Sequence, residues 1–376
     1  MINIAADSQI PEIENWLTNF FDAHYLLKYF NSDSISAIDL KNTDALLVRS
    51  TLSVNQKLCE GTKISYVASA TSGVNHLDID YLDSKGISWS YAPGCNAFSV
   101  IHYVMAVIGE LLKDGLFNIR QSVGIVGYGN IGRRLYKLLK ALNFEVYACD
   151  PFLSDSELVD LDRVLECELL TLHVPLTING KYPTLNLIND SHIKKLSNKV
   201  LINTSRGEVV SEAFVLESQD LIFISDVWVD EPIPSLRMIE KAYIATPHIA
   251  GYSIEGKLNG AKIIAKQCAK IFSSLKSDLA EPKKLSDWPY EFKNIVQDIH
   301  GMSFPASIFH SELDLKSISD ALKALSSKDL DEGFRFQREN HPPRHDFNSF
   351  SFKGIRQLDE ELDLRFFNEL RRAGNF

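Results

Sequence analysis

Short apolar runs alternate with stretches of helical periodicity along most of the chain. Residues 2–5, 45–48, 64–68 and 87–91 are brief, rich in β-branched and aromatic side chains, and bounded by polar or turn residues, which predicts strands. Residues 13–29 and 55–59 lie between them and read as helices. Strands separated by helical connections predict a parallel sheet. Beyond Asn96, the positions Phe98, Ile101, Val104, Met105, Ile108, Leu111 and Leu112 recur at helical spacing, so a long and mostly buried helix follows. A second alternating block has strands at 122–126, 146–150, 169–174, 200–204, 222–227 and 243–245, with helices such as 133–142 and 211–217.

The rhythm predicts an α/β protein with two doubly wound, parallel-sheet (Rossmann-like) domains and a cleft between them. The first domain is discontinuous, residues 1–93 with a returning helix in 255–278, and would carry substrate. Residues 94–254 form the dinucleotide-binding domain. The text changes character at SDLAEPKKLSDWPYEF, a linker, and residues 285–376 read as a small α+β module.

Composition narrows the setting. Of 376 residues, 45% are hydrophobic and 23% charged, the proportions of a folded chain rather than a disordered one. A formal net charge of −10 repels phosphate backbones and acidic lipids, which argues against nucleic-acid and membrane partners. The N-terminus lacks a basic start followed by an apolar run, and no apolar stretch reaches the ~20 residues of a membrane helix. Five widely spread cysteines without a CxxC fit a reducing compartment, so a cytoplasmic protein is expected.

The strongest local signal is SVGIVGYGNIGRRL, in which an apolar strand runs into Gly127, Gly129, Asn130, Ile131 and Gly132 and a helix leaves. Gly127 would make the tight turn, Gly129 would admit a pyrophosphate to the backbone, and Gly132 would let helix and strand pack closely. A second strand, FEVYACD, ends in Asp150, 18 residues after Gly132. A carboxylate there accepts hydrogen bonds from both ribose hydroxyls and repels a 2′-phosphate, which predicts NAD rather than NADP. Hydride transfer at a carbon bearing a hydroxyl also needs a base, a group to orient that base and a cation for an acid substrate. Arg206, Glu231 and His248 each follow a predicted strand in the second block, where such folds bind ligands.

The order GxGxxG, Asp, Arg-Gly, Glu-Pro, His resembles that of the D-isomer-specific 2-hydroxyacid dehydrogenases. The resemblance implies that Arg206 binds the substrate carboxylate and carbonyl, that Glu231 pairs with His248, and that His248 exchanges the proton. It places Asp226 on the nicotinamide side of the cofactor, with Val174, Thr204 and Gly251 as further cofactor contacts. The stretches VRS (48–50), ATSGVNH (70–76), PGCNA (93–97), LTINGKYPT (176–184) and HIAGYSIEGK (248–257) are similar to a branch of that family acting on a small phosphorylated 2-hydroxy acid. That branch implies substrate contacts at Ser50, Thr71 and Tyr252, a C-terminal dimerisation domain and hence a homodimer, and a 2-oxo acid as possible electron acceptor. Arg344 would reach across the dimer to the substrate phosphate. Three positions depart from the branch: Val174 replaces a usual Thr, His102 a common Glu, and His345 the second of two arginines.

Other chemistry-bearing residues have plainer readings. His76, His102, His173, His192 and His310 are assigned structural or surface roles, and Cys95 that of a small buried hydrophobe. His341 and His345 are four apart, but Pro342 and Pro343 between them break a helix, so no metal is expected. Two alternatives stay open: another dehydrogenase of the family, such as one for 3-phosphoglycerate, or an NAD-sensing scaffold that binds a partner without turnover.

Overall fold

The computed structural model describes residues 1–142, 144–272, 286–287, 296–299, 302–305, 313–346 and 350–351. The chain divides into two compact units, residues 1–97 with 252–284 and residues 98–251 with 285–376.

In the first unit, β1 (Ile2–Asp7), β2 (Tyr25–Phe30), β3 (Ala45–Val48), β4 (Tyr66–Ser69) and β5 (Ser88–Tyr91) form an all-parallel sheet in the order β2-β1-β3-β4-β5. Every residue of β3 and β4 is buried, as expected of central parallel strands covered on both faces. One face packs on the helix Ile13–Phe20 through Ile13, Leu17 and Phe20, and on the helix Ile254–Phe272 through Ala261, Ile264, Ala265 and Cys268. That second helix can lie close because its contact stripe is small. A Cβ on Gly260 would stand 2.2 Å from the Ala70 carbonyl oxygen. Glycine there seats the helix against the loop that carries Thr71.

In the second unit, β6 (Val123–Val126), β7 (Val146–Cys149), β8 (Leu169–Leu172), β9 (Val200–Asn203), β10 (Ile222–Ser225) and β11 (Ile244–Ala245) pair in parallel in the order β11-β10-β9-β8-β6-β7. The order reverses between β6 and β8, which opens a ligand crevice at the carboxyl ends of those strands. The helix Ala97–Lys113 leads into this unit with Tyr103, Val104, Met105, Val107, Ile108 and Leu111 wholly enclosed. Two C-terminal helices, Leu315–Lys323 and Leu330–Glu339, join the same core through Leu322, Leu330 and Phe334. The first of them covers the edge strand β11: Ser319 Oγ accepts the Ala245 N–H at 3.0 Å, and Lys323 Nζ donates to the Ala242 carbonyl at 2.6 Å. A bare strand edge would otherwise leave those groups unpaired.

Two sequence expectations change. Residues 13–29 are not one helix, since the helix ends at Phe20 and Tyr25–Phe30 is a strand. The segment YLLKYF is aromatic and apolar with a two-residue rhythm, and edge-strand pairing to β1 wins over a continued helix. Asp78 also starts an unanticipated helix at Ile79–Ser84, its side chain accepting the Tyr81 N–H at 3.1 Å. Apart from residues 286–287, the expected linker lies outside the described residues, as does His310.

All five cysteines are buried and unbridged. Burial pushes the thiols of Cys95, Cys149 and Cys268 up to about 12 and that of Cys59 to about 11, and it raises Cys167 too. At pH 8 a disulfide reagent such as DTNB is expected to leave the native protein unlabelled over minutes and to titrate five thiols in denaturant. A fast-reacting thiol in the native state would contradict this burial.

Candidate active site

The glycine loop has the shape its sequence demands. Gly127 has φ +97°, and a Cβ there would stand 2.5 Å from the His173 carbonyl oxygen. A Cβ on Gly132, the first residue of the helix Gly132–Ala141, would fall 1.9 Å from the Gly127 carbonyl oxygen. A Cβ on Gly129 would meet nothing within 4 Å, so open space lies before the loop there. Asn130 is exposed, and Ile131 flanks the helix start. Asp150 follows β7 and accepts the Tyr128 N–H at 3.1 Å, which fastens it to the loop. Each of its carboxylate oxygens keeps acceptor capacity. Open backbone at a helix start with a carboxylate at the next strand end fits a dinucleotide diphosphate and ribose. Val174, after β8, uses its N–H on Ser205 Oγ at 3.1 Å, and Thr204 Oγ1 donates to the Leu172 carbonyl at 3.4 Å.

The loop after β9 is shaped by residues that sequence reasoning passed over. Asn203 Oδ1 accepts the Ser205 N–H at 3.0 Å, and its amide donates to the Arg206 carbonyl at 2.8 Å. This side-chain turn sets the backbone that presents Arg206. Gly207 must follow it, because a Cβ there would stand 2.1 Å from the Trp228 carbonyl carbon. The Arg206 loop and the loop after β10 are thereby pressed together. An Asn before Thr-Ser-Arg-Gly was a readable turn signal.

On the second of those loops, Glu231 Oε1 accepts the Trp228 N–H at 2.9 Å and Oε2 meets His248 Nδ1 at 2.6 Å. Burial pushes the Glu231 carboxyl up, but His248, the Trp228 N–H and Arg338 together outweigh it and hold it below its ordinary value. The carboxylate is therefore charged and accepts, so Nδ1 carries the hydrogen and Nε2 is left as a base. Burial also draws the Arg206 guanidinium down, with Glu231 and Glu208 opposing; an arginine keeps its charge all the same. Arg338, from the C-terminal helix, stands 3.9 Å from Glu231 Oε2. Nothing in the local sequence marked it.

Asp226 is only 1% exposed. Its Oδ1 accepts the Thr246 hydroxyl at 2.6 Å and the Ile249 N–H at 2.8 Å, and Oδ2 accepts the Ala250 N–H at 2.9 Å. Those bonds hold the loop that carries His248, and Gly251 continues it. Arg344 departs from expectation. Expected to reach across a dimer, it is here enclosed at 1% exposure and bonded to carbonyls of its own chain. In the first unit, Thr71 Oγ1 shares a hydrogen bond of 2.7 Å with Ser69 Oγ, which also meets His76 Nε2 at 2.8 Å. Burial pulls His76 down to about 4, so it serves there neutral. Ser50 is exposed, and Tyr252 lies under the Lys257 ammonium, 5.3 Å from the ring centre.

Residues 115–250 match the model of the D-isomer specific 2-hydroxyacid dehydrogenase NAD-binding domain. An erythronate-4-phosphate dehydrogenase of Hahella chejuensis is 39% identical over 278 residues, 72% of either chain. That of Cellvibrio japonicus is 33% identical over 374 residues, 94% of this chain and 95% of its own. The chain belongs to the erythronate-4-phosphate dehydrogenase family. Its fold is also that of an NAD-bound 3-phosphoglycerate dehydrogenase from Entamoeba histolytica, with TM-score 0.61 and 21% identity over 72% of this chain and 95% of that one. A D-lactate dehydrogenase from Aquifex aeolicus shares the fold with TM-score 0.57 at 21% identity over the same shares. As in its family, this chain is a dehydrogenase with an NAD-binding domain.

The Asp226 environment generates a pH prediction. Burial pushes its carboxyl up to about 6, against the pull of His248, Thr246 and two loop amides. The native state then binds this proton more tightly than the unfolded chain, so its stabilising contribution is full below about 4 and is lost as pH rises through about 6. Asp226→Asn loses the Ala250 acceptor and is less stable, but it lacks that pH-dependent loss. Its urea midpoint relative to wild type is expected to rise between pH 4 and 7; a flat difference would contradict the buried, raised carboxyl.

Proposed function

We propose that the chain oxidises 4-phospho-D-erythronate to (R)-3-hydroxy-2-oxo-4-phosphooxybutanoate, a step of pyridoxal 5′-phosphate biosynthesis. The observation that carries the chemistry is the 2.6 Å contact between Glu231 and His248, with Arg206 on the loop pressed against that of Glu231. The substrate is drawn from the names of the relatives. NAD, held by the glycine loop and Asp150, would supply the acceptor for the hydride that leaves C2. His248 Nε2 receives the C2 hydroxyl proton, and the imidazolium formed is stabilised by the Glu231 carboxylate on Nδ1. Arg206 holds the C1 carboxylate by paired hydrogen bonds and keeps its charge throughout. Ser50, Thr71 and Tyr252 contact substrate, and Gly127, Gly129, Asn130, Ile131, Gly132, Asp150, Val174, Thr204 and Gly251 contact the cofactor. The protein works as a homodimer in the cytoplasm, with a 2-oxo acid available as acceptor for reducing equivalents held on the enzyme. Among the described residues, no helix is long and apolar enough to cross a membrane.

Purified protein is tested with 4-phospho-D-erythronate, 3-phosphoglycerate and D-lactate, following NADH, and in parallel with 2-oxoglutarate present, following the 2-oxo product. Selective turnover of the erythronate is expected, with His248→Ala about a thousandfold slower and still binding NADH. Preference for 3-phosphoglycerate would overturn the substrate. Retained turnover in His248→Ala would remove it as base, and NAD binding without any turnover would favour a sensing scaffold.

A further inference from the structure

The loop that carries His248 is gripped from both sides. His248 has φ +58°, a left-handed conformation that side-chain-bearing residues rarely adopt and that persists only where the surroundings enforce it. The next two peptides are the enforcement. Asp226 accepts the N–H groups of Ile249 and Ala250. From the other side Arg344 Nη2 donates to the Ala250 carbonyl at 2.7 Å and approaches the Ile249 carbonyl at 3.5 Å. Arg344 is in turn fixed on the helix Ala97–Lys113, donating to the Ser99 carbonyl at 3.2 Å and to His102 Nδ1 at 3.4 Å. One helical turn along, Tyr103 meets Thr246 Oγ1 at 2.7 Å. The Thr246 hydrogen is given to Asp226, so the Tyr103 hydroxyl is the donor.

We propose that Arg344 is a positioning residue for the proton-transfer step, locking the peptides that follow His248 so that its imidazole stays on Glu231. The C-terminal segment thus acts on the site within its own subunit, through the backbone. The fully buried Ser99, His102 and Tyr103 of that helix take their place in the same account, as the bed on which the clamp rests. An arginine suits this better than a lysine, because its planar fork serves several carbonyls at fixed angles. The inference rests on the reading of His248 as the base.

The test compares Arg344→Met and Arg344→Lys with wild type, in the full chain. Hydrogen–deuterium exchange of the peptides spanning residues 247–253 reads the clamp itself, independently of catalysis. Exchange there is expected to speed at least tenfold in Arg344→Met and less in Arg344→Lys, with the Gly127–Gly132 loop unchanged. Turnover with 4-phospho-D-erythronate is expected to fall about ten- to a hundredfold in Arg344→Met, with KM within about threefold of wild type, and to recover in part in Arg344→Lys. Should Arg344→Met fail to fold, the lysine variant carries the same comparison with smaller changes. Unaltered exchange at 247–253 would overturn the proposal. So would a large rise in KM at unchanged kcat, which marks a substrate ligand. Retained turnover in His248→Ala alongside altered exchange would instead fault the base assignment and leave the clamp standing.

Discussion

The hydrogen bond between His248 Nδ1 and Glu231 Oε2 is the interaction on which the rest of the second unit's design depends. A charged carboxylate resists burial, and an imidazole free to rotate is a poor base. The structure meets both difficulties with backbone. The Trp228 N–H takes the other Glu231 oxygen, and a glycine at 207 lets the Arg206 loop close on the peptide of Trp228 itself. Three loops from three adjacent strands, β9, β10 and β11, are thereby held at one end of one sheet. That is how residues 206, 231 and 248, far apart in the chain, come to stand on neighbouring loops.

The second constraint is the peptide after His248. Asp226 was expected beside the nicotinamide; its described partners are Thr246, Ile249 and Ala250. Its raised carboxyl is the consequence of burial that the loop amides only partly offset. With Arg344 on the opposite face, a buried carboxyl and a buried guanidinium flank the same two peptides, and the loop geometry is fixed by hydrogen bonds at both its donors and its acceptors. The C-terminal helices contribute in a similar way, capping β11 through Ser319 and Lys323 and bringing Arg338 toward Glu231.

Much of this was legible in the residues. Strand positions in the second block emerged within a residue or two because buried parallel strands are continuous apolar runs between turn residues. The glycine loop and Asp150 were legible because a tight turn leaves few residue choices. The helix at 13–29 was misread, since YLLKYF has apolar residues enough for either period and only pairing with β1 decides between them. Arg338 and Arg344 could not be placed from sequence. Their roles depend on where a distant C-terminal segment packs, and an arginine bound to carbonyls through space leaves no local pattern. Asn203 and Gly207 were readable in principle, since a turn residue and a glycine bracket Arg206 within five positions.

The central claim is that hydride leaves C2 of the substrate as His248 takes the hydroxyl proton. It is tested most directly by a single-turnover reaction of the NAD-loaded enzyme with 4-phospho-D-erythronate deuterated at C2. The account predicts deuterium in the reduced cofactor, and a burst slowed relative to the protiated substrate in wild type and in a slower Glu231→Gln variant. Reduced cofactor without deuterium would contradict it, because the hydrogen would then have come from somewhere other than C2.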